Sequence, residues 1–329
     1  MKLVVINDKL IGQSLAIPIY NTNGILYMNK GLVLDIAGIG RIKKMGISTL
    51  YIEDGNNECA LQEVISPVNK IKYIKLLNEE FNKIKVSKIP NYDTFYTVAK
   101  GLIESVNLSE NAFLFNNIGK MDDKLNLAIH TIDVAILTLM VGVHKKYDLT
   151  KLVNLCISAL LHDVGKLFVN GDDHVKLGYK IAKSNSMFSP TVTVTIAQHH
   201  ERHDGKGFPD KMKGDKIYEF SKIVAICDEY ANCASNEEGY LPLEIMEKLL
   251  AETNSRFDPA IYDDFKGSVY CYPNGLRVQL TNGLSGTVIM QNKNFPLRPL
   301  IQIDTKPNKE YLNLMKELSI QISNVLIEA

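Results

Sequence analysis

The chain has 329 residues, 46% of them apolar, with 37 basic and 37 acidic side chains. That composition supports a sizeable buried core spread over two or three domains. A net charge of zero removes the electrostatic case for DNA or a membrane surface as partner, without excluding a local basic pocket for a small phosphate ligand.

The N-terminal stretch Met1–Tyr20 has neither the continuous apolar run nor the small-residue cleavage site of a secretory signal. No run of about 18 consecutive apolar residues suggests a membrane span. Leu15–Tyr20 and Ile25–Met28 are short apolar runs flanking Asn21-Thr-Asn-Gly24, a hairpin signal. Asp35–Met45 reads as a short helix and Ile47–Ile52 as a strand, so residues 1–53 form a small mixed α/β module. Residues 54–95 are polar and lysine-rich, with scattered apolar positions at Ile71, Ile74, Leu77 and Phe81. They read as a linker or connector helix.

From residue 96 to 265 the apolar spacing is mostly helical. The β-branched run at Val192 is also read as helix, because Pro190 suits an N-terminal start and helical segments surround it. After Gly267 the pattern changes to period two. Asn282-Gly283 marks a turn between strands, and residues 266–329 form a β hairpin and a tail that is helix or strand after Lys309. The fold class is therefore α+β and multidomain. Five cysteines, Cys59, Cys156, Cys227, Cys233 and Cys271, include no Cys-x-x-Cys pair. An odd count without a signal points to a reducing, cytoplasmic setting and away from thiolate metal ligands.

The seven histidines all fall between His130 and His203. His130, the pair His162-Asp163, His174, the pair His199-His200 and then Asp228 sit in or beside apolar helical stretches. His162-Asp163 follows Cys156-Ile-Ser-Ala-Leu-Leu161, and Asp228 follows Ile223-Val-Ala-Ile-Cys227. A buried imidazole or carboxylate without a partner is costly. Any one of these residues alone reads as an ordinary core or surface residue. Shared coordination of metal ions would repay the burial of all of them together. Imidazole and carboxylate without thiolate suit Fe, Mn or Zn. A carboxylate among histidines can bridge two ions roughly 3.5–4 Å apart, the arrangement that activates water for displacement at phosphorus.

Leu161-His-Asp-Val-Gly-Lys166 resembles the signature of the HD phosphohydrolases, and His199-His-Glu-Arg-His-Asp-Gly-Lys-Gly-Phe-Pro209 resembles the extended motif of their HD-GYP branch. The resemblance covers about residues 96–265. It implies an all-helical HD-GYP catalytic domain with two divalent ions, Fe or Mn, hydrolysing cyclic di-GMP or a related cyclic dinucleotide. Carried over by position, one ion falls to His130, His162, Asp163 and Asp228. The other falls to Asp163, His174, His199 and His200, with Asp163 bridging. Lys166, one helical turn from Asp163, is placed to clamp the scissile phosphate. The loop Asp204–Pro209 reads first as structural, with Gly205 and Gly207 permitting unusual backbone angles, Pro209 stiffening the exit and Asp204 bonding local amides. In its functional reading Arg202, Gly205, Gly207 and Phe208 stand at the substrate rim, and Glu201 is read as standing behind a ligand histidine. The loop Gly205–Pro209 is also a candidate surface for a signalling protein partner, and a homodimer is open.

Three departures from the family pattern matter. Phe208 stands where the tyrosine of the motif is expected and lacks its hydroxyl. Asn126, four residues before His130, replaces a glutamate that supports a third ion in some members, so two ions are expected. The run Asn236-Glu-Glu-Gly-Tyr-Leu-Pro242 replaces a basic stretch that grips the dinucleotide, and Glu237 and Glu238 would weaken that grip. Intact ligand positions favour an active phosphodiesterase. The lost basic run favours a metal-containing signalling module of weak or no activity. An HD hydrolase acting on another phosphoester is the third possibility.

Overall fold

A computed structural model of the chain describes residues 2–21, 26–47, 49–53, 64–106, 123–235, 242–304 and 310–325. The turn expected at 22–25, Cys59 and the acidic stretch 236–241 lie outside the described residues.

The N-terminal module pairs β1 (Lys2–Val5) with β4 (Thr49–Ile52) and β2 (Ile19–Tyr20) with β3 (Leu26–Met28), both antiparallel. Helix α1 (Ile36–Lys44) is capped by Asp35, whose carboxylate accepts from Gly38 N. The module has its own core, including Leu15, Leu34, Ile39, Ile42, Met45 and Ile52. Ala16, Ile17 and Tyr51 join it to the larger core.

Helix α2 (Pro67–Ser87) occupies the segment read as a connector. Ser66 caps it and Pro67 opens it, as expected for a first-turn proline. Ile71, Ile74, Leu77, Phe81 and Ile84 recur at helical spacing and are all buried. Lys72, Lys75, Lys83 and Lys85 lie on its exposed outer face, while the inner face, with Lys70 buried beside it, is part of the helical core.

Seven further helices complete that core through residue 251: α3 (Tyr92–Ser105), α4 (Asp123–His144), α5 (Leu149–Leu161), α6 (Asp173–Lys183), α7 (Pro190–Gln198), α8 (Glu219–Ala234) and α9 (Pro242–Ala251). Helix α10 (Pro259–Ser268) closes it. α4 runs through the middle, packed on α2, α5, α8 and α10. Its stretch Asn126–His144 is long and apolar enough to cross a membrane, but 78% of it is buried in the helical core. The apolarity is that of a central core helix.

The predicted C-terminal hairpin, β5 (Arg277–Leu280) and β6 (Ser285–Met290), turns at Gly283 with φ +84°. It forms the middle of a larger sheet with β7 (Leu300–Ile303), β8 (Glu310–Asn313) and β9 (Ile322–Val325), in the order β8-β7-β6-β5-β9. The tail after Lys309 therefore supplies strands, not an amphipathic helix. Each is only four residues long, too short for its period to stand out.

Candidate metal centre

The histidines and aspartates singled out in the sequence converge from five places in the helical core. His130 projects from α4 and Asp228 from α8, while His162 and Asp163 follow α5. His174 stands in the first turn of α6, and His199 and His200 follow α7. A 3-10 turn, Val164–Leu167, runs on from Asp163 and carries Lys166. A Cβ at Gly165 would overlap the carbonyl oxygen of His174, and Gly178 packs on the same turn. This close approach of backbone to backbone holds His174 beside Asp163.

Two sets of potential ligand atoms result, each gathered within 4.8 Å: His130, His162, Asp163 and Asp228, and Asp163, His174, His199 and His200. Asp163 belongs to both, and its oxygens divide between them. Oδ1 lies 3.2 Å from His174 Nε2 and 3.7 Å from His199 Nε2. Oδ2 lies 3.3 Å from His162 Nε2 and 3.8 Å from His130 Nε2, with Lys166 Nζ at 2.5 Å. His130 Nε2 is 2.9 Å from Asp228 Oδ1.

The outer faces of three rings are fixed locally. The Nδ1 atoms of His162, His174 and His199 lie 2.7, 2.5 and 2.8 Å from the carbonyl oxygens of Ala159, Gly171 and Ile196, each three residues back. A carbonyl only accepts, so each Nδ1 carries the proton and donates it. The three Nε2 atoms then face the cluster. His130 Nε2, His162 Nε2, His199 Nε2 and Asp163 Oδ1 are buried without a hydrogen bond of good geometry. Buried polar atoms are seldom left so, and several of them aimed at one point fit an imidazole and carboxylate donor set for divalent cations.

Charge inside the cluster is tightly coupled. Burial favours the neutral ring at His199 and, with His199 beside it, holds His200 down to about 2. At His162 burial is outweighed by Asp163 and Asp228, which push the ring up to about 10. Asp163 and Asp228 stay well below the usual carboxylate range despite burial, Asp163 chiefly through His162 and Asp228 through His130 and then His162.

The loop after the double histidine is held by its own contacts, and Asp204 accepts from Lys206 N at 2.9 Å as its structural reading expects. Glu201 does not stand behind a ligand histidine; its carboxylate accepts from Asp210 N and Met212 N at 2.7 and 2.8 Å and braces the loop. Arg202 is turned onto Asp204, through Nε and Nη2 at 3.1 and 3.0 Å. Gly205 has φ +80°, and a Cβ at Gly207 would overlap the backbone of residues 200–202. Both glycines shape the loop. Phe208 stacks on His200, ring centroids 4.8 Å apart, so an apolar ring backs a candidate ligand where a tyrosine was expected. Asn126 lies on α4, partly buried, one turn before His130. Sequence reasoning missed Asn232, whose amide donates to Asp228 Oδ1 at 2.9 Å.

Residues 127–233 match the HD domain family. The chain is 28% identical over 192 residues to the cyclic di-GMP phosphodiesterase PA4108 of Pseudomonas aeruginosa, covering 52% of this chain and 46% of that one. It is 25% identical over 214 residues to the cyclic di-GMP phosphodiesterase PdeB of Borreliella burgdorferi, covering 59% and 56%. The chain thus spans about half the length of these curated relatives. Among solved structures, Bd1817, an HDG"Y"P protein from Bdellovibrio bacteriovorus, superposes with a TM-score of 0.49 at 15% identity, covering 80% of this chain and 98% of that one.

Proposed function

We propose that the chain is a metal-dependent phosphodiesterase acting on cyclic di-GMP or a related cyclic dinucleotide. The observation that carries this is the division of Asp163: one oxygen faces each set of ligand atoms, as a carboxylate bridging two cations requires. In this reading His130, His162, Asp163 and Asp228 hold one ion, and Asp163, His174, His199 and His200 hold the other. Fe or Mn suits these donors. When bound, such a pair supplies an activated water and charge neutralisation at phosphorus.

The chain's own residues supply the rest. The carbonyls of Ala159, Gly171 and Ile196 keep three imidazoles in the tautomer that presents Nε2. The Lys166 side chain, 38% exposed, reaches from the solvent side to Asp163 and can hold a phosphate oxygen there. Arg202, committed to Asp204, leaves this role to Lys166. The substrate class rests on the relatives, which include a 3'3'-cGAMP-specific phosphodiesterase of Vibrio cholerae as well as the cyclic di-GMP enzymes.

The test combines metal analysis of protein purified without air with turnover of a panel containing cyclic di-GMP, 3'3'-cGAMP and cyclic di-AMP. Two equivalents of Fe or Mn and metal-dependent hydrolysis of a panel member are expected. Two equivalents of metal with no turnover of the panel would sink the catalytic reading and favour the signalling module.

A further inference from the structure

We propose that Asn232 is a positioning residue for Asp228, and that its side-chain amide sets the direction in which that carboxylate presents a lone pair to a metal ion. The inference rests on the metal-centre reading above.

Asn232 lies one helical turn beyond Asp228 on α8, and its Nδ2 donates to Asp228 Oδ1 at 2.9 Å. The same Oδ1 is the oxygen that faces the cluster, 2.9 Å from His130 Nε2 and 3.7 Å from His162 Nε2. A carboxylate oxygen has two lone-pair directions. With one taken by the amide, the other is aimed between the two imidazoles, where a cation would sit. A ligand carboxylate is ordinarily held by such an outer hydrogen bond.

The kind of donor also matters. Asp163 has an ammonium beside it, Lys166 at 2.5 Å, which neutralises part of its charge. Asp163 serves two ligand sets and can spare that charge; Asp228 serves one. A neutral amide orients Asp228 without competing with a cation for its negative charge. Helices α4 and α8 run antiparallel, as the contacts His130–Asp228 and Lys145–Glu219 require, so Asn232 and Asn126 lie toward the same end of the site. That end carries amides at both positions, one turn from His130 and one turn from Asp228. Asn232 is itself exposed, so changing it leaves the apolar core untouched.

The experiment titrates chelator-stripped full-length protein with Mn2+, following heat and bound-ion stoichiometry, for the wild type, Asn232→Leu and Asn232→Gln. Leucine keeps the bulk and removes the donor. Glutamine keeps a donating amide on a side chain that still reaches one turn back. The wild type is expected to bind two ions. Asn232→Leu should weaken one of them by about ten-fold or more and leave the other unchanged, while Asn232→Gln should recover most of the loss. Two ions bound equally tightly by wild type and leucine variant, or glutamine behaving like leucine, would overturn the assignment to Asn232 alone. A wild type that binds no ion would overturn the metal centre itself, and the assignment with it.

Discussion

Lys70 on α2 and Asp133 on α4 form an ion pair at 2.7 Å with side chains only 4% and 5% exposed. Asp133 lies three residues after His130, so the helix that follows the N-terminal module is tied by charge to the helix that carries one edge of the candidate metal centre. Removing one partner of a buried pair leaves an uncompensated charge, whereas replacing both with apolar residues is often neutral. Lys70→Met should therefore destabilise the fold by about 3–5 kcal/mol in chemical denaturation. The double change Lys70→Met with Asp133→Leu should recover most of that. A double variant no more stable than the single one would mean the pair is not the source of the loss.

Asp163→Ala should remove both ions and abolish turnover, because one carboxylate serves both ligand sets. Metal analysis and activity are measured together on the same preparation. Two equivalents of metal retained at a normal rate would contradict the bridging role.

Lys166→Met should lower kcat by about a hundred-fold, the scale of losing one donor to developing charge in a transition state. Metal content should stay near the wild-type value, since Lys166 is not in either ligand set. Parallel loss of metal and rate would make Lys166 a support for Asp163 instead.

Gly165→Ala should behave as a folding variant of the site. Its Cβ would overlap the His174 carbonyl, which is backbone and cannot rotate away. A cost of about 3 kcal/mol or more is expected from forced overpacking, together with selective loss of the ion on the His174 side. An alanine variant with wild-type melting and full metal content would show that the turn relaxes freely.

Asp258 links α10 to α8. It caps α10 by accepting from Ala260 N and pairs with Lys222 at 2.7 Å. Burial would raise its pKa, but Lys222 outweighs burial and holds the carboxyl below its ordinary 3.8. A carboxyl depressed on folding contributes its stability above that ordinary value and loses it as the pH falls through the folded one. Asp258→Asn keeps a good cap and removes the charge. It should be less stable than wild type by roughly 1 kcal/mol at neutral pH, with the gap closing as the pH falls below 3.8. A gap independent of pH would assign the loss to the cap geometry.

The convergence of His130, His162, Asp163, His174, His199, His200 and Asp228 was legible in the residues alone, because imidazoles and carboxylates set into apolar helical runs are costly unless they meet one another. So were the helical character of the middle of the chain and the hairpin that turns at Asn282-Gly283. Local spacing placed Lys166 beside Asp163, since residues three apart on a helical turn are neighbours. The long-range partners, by contrast, come from packing. The Lys70–Asp133 pair spans two helices whose sequences carry no mark of each other. The placing of α2 inside the core was masked by its lysine-rich outer face. Glu201 and Arg202 were decided by a loop that folds back on itself, bringing the amides of Asp210 and Met212 to one and the carboxylate of Asp204 to the other. A ligand set announces itself through the cost of burying polar groups. What orients that set depends on which backbone and side-chain atoms the packing brings to its outer face, and the physical reason is that these contacts are weak and local until helices distant in sequence have already been placed.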